Sequence, residues 1–236
     1  MEDDQVITIA DNETGEQMLP LQKRQYNTLI ISGIAIAVLF HPVVGTLVLT
    51  KSMTPVFRVI LSEIITWGTL PLLYLYAKNV EDRPFILWKE QPKKLWFYVA
   101  SLAILFVLTY CVNRISDIPR QLGYHDDYTI MRYYHTLWKN NIPLLVLVCI
   151  TAGFTEELLM RAYVLPRLFM LFKRSYLPII ISASIFSLLH LGYRNLSECI
   201  FTFFFGLICA LFYKKYQSIQ ILIIFHFLYD LAVLLR

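Results

Sequence analysis

Charge is what this 236-residue chain lacks: Lys, Arg, Asp and Glu make up 16% of it, where a soluble domain carries roughly a quarter. With 57% apolar residues and a mean hydropathy of +0.56, its outer surface is made for hydrocarbon, which excludes a soluble globular domain. The four cysteines (Cys111, Cys149, Cys199, Cys209) are scattered through apolar runs without a CxxC pair, which argues against a disulfide framework and for small core residues. Glycine is scarce, and Gly33, Gly45, Gly153, Gly192 and Gly206 form no GxxxG spacing that would name an oligomer face. There is no HExxH, no internal repeat and no low-complexity tract. The net charge of +4 comes from Lys and Arg outside the apolar runs, which suits anionic lipid headgroups and leaves no nucleic-acid footprint.

What the chain does have is seven apolar segments, roughly 27–49, 56–77, 95–113, 142–172, 176–192, 196–213 and 218–235. At about 20 residues per crossing they predict an all-α fold, a polytopic helical membrane bundle of about seven transmembrane helices. His41-Pro42 should kink the first of them, His41 being read as a packing residue. Residues 1–24, acidic and polar, are expected to be a mobile tail without a cleavable signal peptide. Residues 25–139 then form N-terminal membrane helices and loops, and 140–236 a core that carries the chemistry. The 78–94 loop mixes five Lys and Arg with Phe85, Ile86, Leu87 and Trp88, a composition for the headgroup region. The 114–141 loop, with His125, Asp126, Asp127 and His135, matches no metal motif and is expected to be solvated. Lys and Arg number 12 on the N-terminal side and 8 on the other, so the N-terminus is expected in the cytoplasm.

The fourth segment contains Ala152-Gly153-Phe154-Thr155-Glu156-Glu157-Leu158-Leu159-Met160-Arg161. An ionised residue near the bilayer centre costs about 2.5–3.5 kcal/mol on insertion scales, so two adjacent carboxylates need a reason. Glu157 and Arg161, four apart, can pair on one helix face, whereas Glu156 points about 100° away with no local partner. An unpaired carboxyl facing a wet cavity has the form of a general base. The fifth segment offers Phe186-x-x-x-His190 and the seventh His226-x-x-x-Asp230, where the carboxylate can orient or charge the imidazole. Glu156 and His190 each lie 17 residues from Lys173, about 25 Å of helix, and would face each other across a hairpin. His226, only ten residues past its turn, would sit lower unless its helix is offset.

Glu156-Glu157-x-x-x-Arg161, Phe186-x-x-x-His190 and His226-x-x-x-Asp230, in order on three helices, resemble the three-motif pattern of the CPBP intramembrane glutamic endopeptidases. That family includes the type II CAAX prenyl proteases and bacteriocin-processing and self-immunity membrane proteins, and the resemblance covers roughly residues 140–235. It implies a membrane-embedded protease. Glu156 would activate a water, His190 would hold that water or pass a proton to the leaving amine, and His226 and Asp230 would sit at the oxyanion. Glu157, Arg161 and Phe186 would support the site. Asp230 stands where the family often has Asn, which donates to an oxyanion as an ionised Asp cannot; Asp230 would act protonated, or by holding His226 as a cationic donor. No metal or other cofactor is expected; two Glu and two His could hold zinc, but adjacent Glu residues space poorly for one ion.

Two other classes stay open: a catalytically silent membrane scaffold of the same shape, and a proton-coupled transporter, the latter disfavoured by the lack of matched broken helices. The expected partners are a membrane-associated peptide or protein, prenylated or carrying a leader, and the bilayer itself. A bacterial cytoplasmic membrane is the expected home.

Overall fold

The computed structural model describes residues 20–172 and 176–235. The expected tail up to residue 19, and the turn at Lys173 and Arg174, lie outside them. Among the described residues the chain is helical and without strands. The order is α1 (Pro20–Val48), α2 (Pro55–Asn79), α3 (Leu95–Ser116), the short α4 (Ile118–Gln121), α5 (Thr129–Lys139), α6 (Ile142–Thr151), α7 (Leu165–Phe172), α8 (Leu177–Leu189), α9 (Leu196–Tyr216) and α10 (Ile219–Leu234). Between α6 and α7 the chain winds as π-helix, over Ala152–Glu156 and Leu158–Val164.

Local chemistry sets the helix starts. Thr54 accepts the Phe57 N–H ahead of α2, which carries Pro55 in its first turn, and Asn141 and Asn195 cap α6 and α9 in the same manner. α1 runs on through Pro42 as one helix, with the His41 ring at 3.0 Å from the Ser62 hydroxyl. The expected solvated loop 114–141 instead holds α4 and the amphipathic α5.

Five helices are long and apolar enough to cross a membrane: Leu21–Val48, Pro55–Asn79, Leu95–Gln121, Ile142–Phe172 and Leu196–Tyr216. Two shorter apolar helices, Leu177–Tyr193 and Ile219–Leu234, complete the expected seven. In the first three spans only 22% of the apolar window is buried. Their remaining surface is apolar and outward, as an integral membrane protein requires. The fourth span is the centre of the molecule, with Ala162, Tyr163, Val164 and Leu165 fully buried.

Two buried polar anchors tie the 80–94 segment to this bundle. Arg167, inside α7, grips Glu81 with Nε and Nη2 at 2.5–3.1 Å and also donates to the carbonyls of Tyr163, Pro84 and Phe85. Its guanidinium stacks on the Tyr163 ring at 3.5 Å. Glu90 accepts the Ser218 hydroxyl at the start of α10. Phe85 and Trp88, both partly buried, therefore pack on Tyr163, Phe169 and Tyr213. Arg167, counted from the sequence among the charges of that surface, is wholly buried.

Candidate active site

Glu156 closes the first π segment, Glu157 sits between the two, and Arg161 lies in the second. A π turn closes i→i+5 rings, so successive residues are separated by less than the 100° of an α-helix. Glu156, without a local partner, meets one on another helix: both carboxyls approach the same imidazole. Glu157 Oε1 lies 2.8 Å from His226 Nδ1, and Glu156 Oε2 lies 4.0 Å from Nε2. Asp230 Oδ2 is 3.5 Å from Nε2, too long for a direct hydrogen bond, so it acts on the ring by charge.

His226 lies level with the Glu pair, so its helix has the offset that residue counting left open. The offset comes from Gly153. A Cβ there would fall 2.8 Å from the Phe227 nitrogen and 3.1 Å from the Ile223 carbonyl, so only glycine lets the α10 backbone come this close to the π segment. A similar approach joins α8 to α9, where a Cβ on Gly206 would be 3.3 Å from the Ala183 Cα.

Behind the imidazole the pairing expected from the sequence is present: Arg161 Nη1 is 3.1 Å from Glu157 Oε1, with both side chains buried to 1% or less. The guanidinium lies over the Phe186 ring at 4.5 Å, and Phe186 in turn flanks His190 and His226. One Glu157 oxygen thus serves His226 and Arg161 together. The front is more open: the side chain of Glu156 is 32% exposed and that of Asp230 24%.

His190 caps α8 and engages the Phe186 carbonyl with Nδ1 at 2.8 Å. That bond requires the proton on Nδ1 and leaves the Nε2 lone pair free. No direct Glu156–His190 bond joins them; their charges meet on Asp230, which interacts with both. Among the described residues no three His, Cys, Asp or Glu side chains come together as a metal-ion site.

Several residues around the site escaped the sequence reading. Glu198, third residue of α9, interacts with His190, and Tyr193 interacts with Glu156, Glu198 and Asp230. From the other half of the chain Glu63 interacts with Glu156. The signal for Glu63 was present, since it is a lone acid in the second apolar segment. Glu198 was masked by its place near a helix start, where acids are ordinary.

Outside the bundle, Asp126 accepts the Leu196 N–H at 2.7 Å and the Ser197 hydroxyl at 2.5 Å, and so caps α9 from the 122–128 loop. Desolvation, the largest single effect, pushes its carboxyl upward, but the hydrogen bonds from Ser197, Leu196 and Tyr128 together outweigh it and hold the carboxyl below its ordinary 3.8.

Residues 138–232 match a family model described as Rce1-like, type II CAAX prenyl endopeptidase Rce1-like. The match contains all seven residues singled out above. No curated protein and no solved structure matches the chain.

Proposed function

Residues 138–232 being a domain of the type II CAAX prenyl endopeptidase Rce1-like family, we propose that this integral membrane protein is a glutamate-dependent endopeptidase whose substrate is a membrane-associated peptide or protein. The observation that carries the reading is the asymmetry of the two adjacent carboxyls. Glu157 is fully buried and committed to His226 and Arg161, while Glu156 is half-open and uncommitted beside His226 Nε2.

In this reading Glu156 takes a proton from a water as its oxygen attacks the scissile carbonyl. Glu157 holds the His226 Nδ1 proton, so that Nε2 faces the reacting centre. In the imidazolium form Nε2–H donates to the oxyanion, with Asp230 supplying compensating negative charge. The Nε2 lone pair of His190 accepts a hydrogen bond from the attacking water, and Glu156 passes the proton to the leaving amine as the C–N bond breaks. Water and one peptide give one carboxylic acid and one amine, and no group is left altered. A metal-free route is the simpler one, because Glu157 is already committed to His226 and Arg161, and adjacent Glu156 and Glu157 space poorly for one ion.

We propose further that the N-terminus faces the cytoplasm of a bacterial cell. With Arg167 buried, the Lys and Arg bias is 11 against 8 and keeps its sign.

The test compares wild type with Glu156→Gln, matched for thermal stability in detergent, on membrane-anchored and prenylated peptides with and without a chelator. Cleavage by wild type alone, indifferent to chelator, supports the proposal. Cleavage lost to chelator would recast Glu156, His190 and His226 as metal ligands. A Glu156→Gln form as active as wild type, or a wild type that cleaves no member of the panel, would overturn it.

A further inference from the structure

Glu63 and Trp67 are four residues apart on α2 and share a face. Trp67 fixes what that face meets: its indole N–H donates to the Thr151 hydroxyl at 2.9 Å, and its ring stacks on Phe154 with centroids 5.1 Å apart. Thr151 precedes Glu156 by five residues, the interval that a π turn closes. The Glu63 carboxyl accordingly interacts with the Thr151 hydroxyl and with the charge of Glu156. α1 adds His41, held by Ser62 and likewise interacting with Glu156. Neither helix lies in the matched segment 138–232.

We infer that Glu63 is a positioning residue for Glu156, acting through Thr151 and through its own charge, so that α2 completes the site. The inference rests on Glu156 being the base. The other groups that bear on Glu156 are Glu157 beside it, His226 and Asp230 on α10, Tyr193 after α8 and His41 on α1. Glu63 also faces Cys149 of α6. Charge on the Glu63 carboxyl opposes charge on Glu156. The neutral acid of the pair can donate a hydrogen bond that the carboxylate cannot.

The experiment uses the full chain and two readouts. The first is the pH dependence of cleavage for wild type, Glu63→Gln and Glu63→Asp. The expected result for Glu63→Gln is a kcat about tenfold lower with KM within about twofold, and a displaced pH profile. Glu63→Asp keeps the wild-type profile. The second readout needs no turnover: pH-difference infrared spectra of the carboxyl stretch. The band lost in Glu156→Gln identifies Glu156, and it should move in Glu63→Gln. An unmoved Glu156 band together with a wild-type pH profile in Glu63→Gln overturns the inference. A wild type that cleaves nothing while the bands remain coupled upholds the pairing and overturns the protease reading instead.

Discussion

His226 touches three carboxyl groups, and each does a different job. Glu157 is the structural one, since its Oε1 carries both the imidazole and the Arg161 guanidinium in a site from which solvent is excluded. Truncating one partner of a buried ion pair strands the other charge, at about 3–5 kcal/mol. Arg161→Met is therefore expected to lower the unfolding midpoint markedly, as thermal melts in detergent will read. Glu157→Gln keeps an acceptor oxygen but removes the charge. It should fold and lose cleavage about 100-fold, the scale of a misoriented acid–base group. A Glu157→Gln enzyme with normal kcat would show that His226 needs no fixed proton on Nδ1. The Glu81–Arg167 pair makes the opposite contrast. It is as buried but has every donor satisfied and stands apart from the chemistry, so Arg167→Met should destabilise the fold by a comparable amount and leave the pH profile of the surviving protein unchanged.

At the scale of helices, the site depends on the π winding between α6 and α7. The motif residues were readable because intramembrane acids and histidines are costly and few. Their arrangement was not, because a 3.6-residue turn was assumed where the chain winds wider. Residue counting left the depth of His226 open, since it cannot say how far one helix slides along another when a glycine removes the side chain between them. Gly153→Ala tests that account. Its methyl would overlap α10 backbone, which cannot yield as a side-chain tip can, so α10 must shift. The expected cost is about 1–3 kcal/mol of stability. A larger proportional loss of kcat should accompany it, because His226 and Asp230 move away from Glu156 together. Unchanged kinetics in Gly153→Ala would mean that α10 is placed by its other contacts.

Taken as a whole, the bundle was legible from the seven apolar runs, and its candidate site from three motifs, because hydrocarbon burial and intramembrane charge are strong one-dimensional signals. The 114–141 segment was not. Its polarity read as a solvated loop, and only the tertiary fold shows Asp126 reaching 70 residues along the chain to cap α9 next to Asn195 and Glu198. This cap joins the polar segment to the end of the bundle where His190 sits. Since the Asp126 carboxyl is held below its ordinary value by hydrogen bonds made only in the folded state, the stability it contributes is fully present above about pH 4, the ordinary range of an aspartate. That contribution is lost as pH falls through the lower folded value, when the protonated acid no longer accepts as strongly. Asp126→Ala should mimic the acid state at neutral pH. Hydrogen exchange at the first-turn amides of α9, Leu196 to Cys199, is expected to rise by about tenfold, the equivalent of one hydrogen bond to a charged group. The amides of α10 around His226 should keep wild-type protection. If α10 loosens equally, the cap supports the whole site and not α9 alone, and Asp126 would then have to be counted among the residues on which catalysis depends.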